Sequence, residues 1–368
     1  MNSPLQRRPW QNLYIHVPFC HGKCDYCAFY SEGNAENLMR PWRDKLKREL
    51  EQLAGTAVRT VYLGGGTPTL LNVEMLAELF GVLEKFLPSA DIPEISIECN
   101  PESLTDEKAA VLGQHVNRVS LGIQSFDPEL RRKIGRHGDP AKIPAAFELL
   151  RRHGLRNLGC DLIYGLPGQT AAEWEKELSG ALSLGITHLS AYSLSVEEGT
   201  PLQKRYTPDP EAENRNAELE VHTRTILKEA GLHRYEISNY ARPGFECRHN
   251  QNIWHGETYL GLGPAACSFD GRDRFTQVSS IQDWLNGAAP EMDRIPDPER
   301  RAEMLIMGLR TVRGWADGEF ERAAGISPEA VNPAGIAELR KNGFLREDVF
   351  ALTGHGLDFW NDAAMALL

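Results

Sequence analysis

Tyr14-Ile-His-Val-Pro-Phe-Cys20-His-Gly-Lys-Cys24-Asp-Tyr-Cys27-Ala-Phe29 decides how the rest of the chain is read. Its three cysteines are spaced C-x3-C-x2-C. Val17-Pro18-Phe19 just upstream reads as the end of a strand, because proline favours an extended predecessor and cannot donate to a ladder. Gly22 and Asp25 let the backbone turn between the thiols. The expectation is a short loop at the C-terminal end of a strand, curling three thiolates round one metal centre. Two chemistries fit these residues. An iron–sulfur cluster is usually held by four cysteines, and three would leave one iron open to a small chelating ligand. Zinc would take His16 or His21 as its fourth ligand, although its usual second C-x2-C or closing H-x3-H is missing downstream. A structural disulfide suits an odd trio of thiols poorly in a chain without a secretory signal.

Composition narrows the classes. The chain has 368 residues and a formal net charge of −11. That length suits one large domain and one small one. The acidic balance argues against a broad electrostatic grip on nucleic acid or membrane. No apolar run of about 18 residues occurs, and Met1-Asn-Ser-Pro-Leu-Gln-Arg-Arg8 has no apolar core. Neither a membrane span nor a signal peptide is expected, and the setting is read as cytoplasmic. Cys99, Cys160, Cys247 and Cys267 stand singly and are expected as small buried residues.

Strand-like runs at Leu13–Phe19, Thr60–Leu63, Ile95–Cys99, Val119–Ile123, Gly159–Tyr164 and Leu189–Leu194 alternate with amphipathic stretches such as Val73–Phe86 and Glu213–Ala230. Repeated βα units of this kind predict an α/β fold, an open, partial (β/α)6 barrel whose sites gather at the C-terminal strand ends. Those ends are rich in chemistry. Gly64-Gly65-Gly66-Thr67-Pro68-Thr69 lets backbone pass close to a ligand, and it is no phosphate loop because no Gly-Lys-Ser/Thr follows. Glu98-Cys-Asn-Pro101 offers a carboxylate to ribose hydroxyls or to solvent. Gly122-Ile-Gln124-Ser-Phe-Asp127 and Arg136 come next. Asp161 lies in an apolar run and needs a partner or a ligand there, with Arg136 one candidate.

The cysteine spacing after a strand, with Tyr26 before the third cysteine, resembles the radical S-adenosylmethionine (SAM) superfamily. The strings Tyr14–Cys20, Gly64–Thr69, Gly122–Asp127 and Asp161–Pro167 together resemble its oxygen-independent coproporphyrinogen III oxidase-like branch. The resemblance covers nearly the whole chain. It implies a radical SAM barrel, a [4Fe-4S] cluster on Cys20, Cys24 and Cys27, and SAM chelated to the open iron. It further implies SAM contacts from Tyr14, Gly65, Gly66, Thr67, Glu98, Gln124, Arg136 and Asp161.

His249-Asn-Gln-Asn-Ile-Trp254 packs ligand-capable side chains beside an indole. Imidazole can ligate haem iron and indole can cover a porphyrin, but the residues by themselves favour a rigid loop whose Asn and His satisfy backbone atoms. The stretch resembles the His-Asn-x-x-Tyr-Trp motif of a haem-chaperone branch, with Ile253 where that motif has Tyr, and it makes His249 a candidate haem ligand. Domains are expected at 1–240 for the barrel, 241–296 for an extension with this motif and a linker at Pro290–Pro298, and 297–368 for a small winged-helix-like domain.

Two functions follow from the resemblance. One is a haem chaperone that binds haem and delivers it to respiratory haem proteins, with room for a homodimer and for peripheral membrane association through partners. The other is a coproporphyrinogen III oxidase, which decarboxylates two propionates oxidatively. The oxidase pattern would call for a fourth cysteine where Phe29 stands and for a long segment ahead of the first cysteine, which here is residue 20.

Overall fold

Polar residues take every second position along six strands, and this alternation sets the architecture. The computed structural model describes residues 9–33, 35–87, 92–207 and 209–368. The first eight residues, read above for a leader, lie outside the described residues. The strands are β1 (Asn12–Val17), β2 (Phe19–Cys20), β3 (Glu32–Gly33), β4 (Thr60–Gly65), β5 (Glu94–Cys99), β6 (Arg118–Gln124), β7 (Asn157–Tyr164) and β8 (His188–Ser193). β1 and β4 to β8 run parallel, side by side in chain order. One face carries Tyr14, Tyr62, Ser96, Ser120, Asp161 and Ser190, and it forms a polar lumen. The other face carries Ile15, Leu63, Ile97, Leu121, Cys160 and Leu189, all buried in the main apolar core.

Helices α1 (Glu36–Glu51), α2 (Val73–Phe86), α3 (Asp106–His115), α4 (Pro128–Lys133), α5 (Ile143–Arg152), α6 (Ala171–Ser183) and α7 (Ala212–Glu229) connect the strands. Their apolar stripes supply the other half of that core, with Trp42, Leu46 and Leu50 on α1 and Leu76, Leu79 and Leu83 on α2. Their starts are fixed by side chains. Asn72 accepts from the Met75 amide, and Thr170 with Glu173 closes a reciprocal capping box. The barrel is partial, as the alternation of strands and helices predicts.

The sheet continues past the barrel on both sides. β9 (His233–Arg234) and β10 (Asn239–Ala241) add antiparallel strands beyond β8. Helix α8 (Arg248–Trp254) follows, then β11 (Tyr259–Leu262), which runs parallel beside β1. β12 (Cys267–Phe269), β13 (Arg274–Thr276), the short α9 (Ile281–Leu285) and β14 (Glu291–Asp293) complete a sheet of twelve strands. The stretch expected as a linker, Pro290–Pro298, therefore holds an edge strand and the start of the next helix. Charged and proline-rich sequence suits an edge, where one face of the ladder meets solvent.

A second core lies under the C-terminal helices α10 (Asp297–Gly308), α11 (Glu319–Ala324), α12 (Pro333–Lys341), α13 (Gly354–Asp358) and α14 (Trp360–Leu367). Leu345 and Leu352 meet in an isolated antiparallel bridge, and the last helical stretch is split at Phe359. Cys99, Cys160 and Cys247 are buried as expected, whereas Cys267 is partly exposed, its sulfur 3.7 Å from the Tyr259 hydroxyl.

Candidate cluster and cofactor site

Proline ends β1. Without an amide hydrogen at Pro18 the ladder breaks, so the predicted strand Leu13–Phe19 becomes β1 and a separate β2. β2 pairs in parallel with β3, Phe19 opposite Glu32 and Cys20 opposite Gly33. The glycine run at the end of β4 supports this segment. Gly66 donates its amide to the Val17 carbonyl at 2.8 Å, and Thr67 donates to that of Phe19 at 2.8 Å. A Cβ on Gly66 would stand 2.7 Å from the Phe19 carbonyl oxygen. Gly65 has φ +105°, and a Cβ there would overlap the His16 ring. The glycines thus bring the Cys20 strand against the end of β4.

All three candidate ligands are free thiols on this loop. The Thr67 hydroxyl lies 3.6 Å from Cys20 Sγ, and Arg136 Nη1 donates toward Cys24 Sγ at 3.8 Å. Burial raises the Cys27 thiol. The loop is tied down at Asp25, whose amide donates to the Ile134 carbonyl at 3.0 Å and whose carboxylate pairs with Arg205. His16 is spent elsewhere. The Tyr14 hydroxyl donates to its Nδ1 at 3.1 Å, and its Nε2 donates to the Tyr30 carbonyl at 2.9 Å. That fixes a neutral tautomer with no nitrogen left for zinc. Among the described residues no group of three or more His, Cys, Asp or Glu converges to hold a single metal ion.

The polar strand ends meet at the same mouth. Glu98 accepts from the Tyr62 hydroxyl at 3.0 Å and from the Gly65 amide at 3.1 Å. Burial first, and then the charge of Asp161, push the Glu98 carboxyl up to about 7. Asp161 accepts from Ser120 Oγ at 3.1 Å, and burial raises it against the pull of Ser190, Ser120, Arg118 and Arg136. Gln124 sits at φ +66° with its side-chain oxygen buried and unpartnered, and Arg136 Nε is likewise unpartnered. Two destabilised carboxylates, a lone amide oxygen and a guanidinium beside a thiol fit a cationic ligand bearing hydroxyls and a carboxylate. SAM is such a ligand, and the residues fit it.

The lumen partners Tyr62, Ser120 and Ser190, and the fully buried Arg118, are absent from the sequence-derived site. The period-two alternation holds the signal for them: Tyr62 stands two residues before Gly64, Ser120 opposite Glu98 and Ser190 opposite Asp161, and Arg118 is two residues before Ser120 on the same face. His249 stands apart from the cysteine loop. It lies on α8, at the N-terminal end of the barrel, 3% exposed. Its Nδ1 is 2.7 Å from Thr60 Oγ1, its ring packs on Tyr62 with centroids 5.2 Å apart, and burial lowers it to about 3. Glu94 accepts from the Arg248 amide at 2.7 Å and the His249 amide at 3.1 Å, so α8 plugs the barrel floor. Trp254 packs against the Arg310 guanidinium, 4.8 Å away, and Trp360 covers Arg310 at 4.9 Å.

Comparison with known proteins places the chain. The model of the radical SAM superfamily matches residues 14–179, a span that holds the three cysteines of the loop and Glu98, Gln124, Arg136 and Asp161. The Heme chaperone HemW of Bacillus subtilis is 33% identical over 97% of this chain and 99% of its own length. That of Mycobacterium tuberculosis H37Rv is 37% identical over 96% and 93%, and that of Escherichia coli K12 is 32% identical over 97% and 98%. Coproporphyrinogen III oxidase (HemN) from Escherichia coli superposes with a TM-score of 0.83 over 98% of this chain and 90% of that one, at 24% identity, and so shares the fold. Membership of the radical SAM superfamily implies a [4Fe-4S] cluster and SAM. The chain belongs to the heme chaperone HemW family, within the radical SAM superfamily.

Proposed function

We propose that the protein binds haem and hands it to haem-accepting respiratory proteins, carrying a [4Fe-4S] cluster whose open iron takes SAM. What carries this reading is end-to-end similarity to proteins named heme chaperone HemW. Cys20, Cys24 and Cys27 would hold the cluster. Tyr14, Gly65, Gly66, Thr67, Glu98, Gln124, Arg136 and Asp161 would surround SAM. When bound, the reduced cluster supplies one electron to the sulfonium.

The chain's own residues have separable tasks. Glu98 and Asp161 set a negative field for the cationic cofactor. Gln124 offers its free oxygen to a donor on it. Arg136 offsets thiolate charge at Cys24, and Thr67 does the same more weakly at Cys20. Tyr14 keeps the His16 ring in place under Gly65. Haem ligation by His249 would require α8 to leave the barrel floor.

Among the described residues no helix is long and apolar enough to cross a membrane. The proposed setting is the cytoplasm, with the membrane reached only through haem-accepting partners. The oxidase reading is supported by shared fold and opposed by Phe29, an exposed aromatic where that reaction's pattern has a fourth thiol. The test has two arms. Haem-loaded protein is mixed with an apo haem protein, and Soret absorbance should move to the acceptor. Cluster-loaded protein is incubated anaerobically with SAM, a reductant and coproporphyrinogen III, and no decarboxylated product should form. Product in the second arm, or haem that never leaves in the first, overturns the proposal.

A further inference from the structure

The turn after β6 is a strained point beside the site. A left-handed backbone at Gln124 is one that a residue with a side chain holds only when its surroundings impose it. The ladder slips there, with Gly122 opposite Asp161 and Gln124 opposite Leu162. Two buried charges grip the peptide groups on either side. From α4, Arg131 Nη1 donates to the carbonyls of Ile123 at 2.6 Å and Ser125 at 3.1 Å, which flank Gln124. Its Nη2 donates to the carbonyls of His137 at 2.8 Å and Gly138 at 3.4 Å, immediately after Arg136. From α6, the Glu177 carboxylate accepts from the Ser125 hydroxyl at 2.6 Å and from the amides of Phe126 at 2.6 Å and Asp127 at 3.3 Å.

Arg131 is 5% exposed and Glu177 3% exposed. Burying a full charge is expensive, and apolar residues of similar size would usually fill such places at lower cost. What these two charges do that apolar residues cannot is fix peptide groups. The planar guanidinium reaches four carbonyls from one position, and the carboxylate takes the donors that those carbonyls leave behind. The same arm also steadies the cysteine loop, since Ile134, three residues after Arg131, accepts from the Asp25 amide.

We infer that Arg131 and Glu177 are positioning residues for SAM, clamping one strained turn so that Gln124 and Arg136 point into the barrel mouth. The inference rests on the reading of that mouth as the SAM site. Arg131→Met should weaken SAM binding to the cluster-loaded protein at least tenfold by calorimetry. It should also alter the change that SAM produces in the electron paramagnetic resonance spectrum of the reduced cluster. Arg131→Lys, which keeps three donors, should recover part of the loss. Iron content stays at the wild-type value throughout.

A mutant cycle separates positioning from general damage. In a Gln124→Ala, Arg136→Ala background, Arg131→Met should cost no more than about threefold, because the groups it positions are gone. An equal loss in both backgrounds overturns the inference, as does an unchanged SAM affinity in Arg131→Met with full iron. Should Arg131→Met fail to fold, Glu177→Gln carries the same cycle, with the same outcomes. A wild-type protein with intact cluster that binds no SAM would instead remove the site reading, and this inference with it.

Discussion

Residues 14–29 and residues 247–255 are the two stretches richest in ligand-type side chains, and the barrel uses them in opposite ways. The first lies at the open, C-terminal end of the strands, with three free thiols and the orphaned Gln124 oxygen and Arg136 nitrogen around it. The second closes the other end. Its amides bind Glu94, His249 meets Thr60 and Tyr62, and His255 is wedged 2.9 Å from the Gly314 carbonyl of the C-terminal domain. A similar inventory of residue types therefore stands free at the open end and is packed into the floor at the other. What separates them is their setting: the first lies beside the buried, unpartnered Gln124 Oε1 and Arg136 Nε, whereas the histidines of the second are held by Thr60 and by the carbonyls of Gln251 and Gly314.

The sharpest break of this comparison is at the thiols. Cys20→Ala, Cys24→Ala or Cys27→Ala should each abolish the iron, from about four per chain after anaerobic reconstitution to near none. Stoichiometric zinc in the wild-type protein would overturn the cluster. Next is His249→Ala. Removing a ring packed between Thr60 and Tyr62 should lower stability by about 2–4 kcal/mol in denaturant unfolding. The Soret spectrum of the haem complex should stay unchanged, because the ring faces the barrel floor. A shifted Soret band would show that α8 opens and that His249 ligates haem.

The barrel was readable in advance because βα repetition is a local property of sequence. The six barrel strands begin and end within two residues of the expected bounds. The position of the cysteine loop is legible because it follows a strand that Pro18 ends, and the same pattern puts Glu98, Gln124 and Asp161 toward strand ends; their part in holding SAM comes from the family resemblance alone. The break at Pro18 follows from a missing amide, which the sequence displays, although the separate strand beyond it does not. Other features depend on contacts distant in sequence. Glu94 and His249 are separated by 155 residues, and no pattern in either stretch announces that one caps the other's helix. The strand at Glu291–Asp293 was hidden for a related reason. A three-residue edge strand draws its identity from β13, against which it pairs, and its own residues look like a linker. Arg131 and Glu177 bind backbone groups, which sequence does not display.

A smaller effect probes the open end alone. With Glu98 near 7, its ionised fraction rises about tenfold between about pH 6 and pH 8. A cationic cofactor binds the ionised form, so SAM affinity should rise with pH over that window, and Glu98→Gln should remove that component of the pH dependence. The sign for folding is the reverse. The folded protein binds the extra proton between about 4.5 and about 7, so stability attributable to Glu98 falls as pH rises through that window. Glu98→Gln should therefore melt higher than wild type at pH 8. Affinity with an unaltered pH profile in Glu98→Gln would return Glu98 to a structural role.

The smallest expected change lies at the rim of the open end. Phe29 is 69% exposed, two residues beyond Cys27. Replacing an exposed side chain away from caps and ion pairs usually moves stability by no more than about 0.5 kcal/mol, and Phe29→Cys should do no more. It also restores the fourth thiol of the oxidase pattern. If three cysteines suffice for the cluster, Phe29→Cys should leave the iron at about four per chain and still convert no coproporphyrinogen III in the anaerobic assay. The reason is that a thiol at an exposed position adds a ligand without adding a substrate pocket. Conversion by Phe29→Cys would mean that one side chain separates delivery of a porphyrin from chemistry on it, and that the open end of this barrel keeps the oxidase's geometry intact.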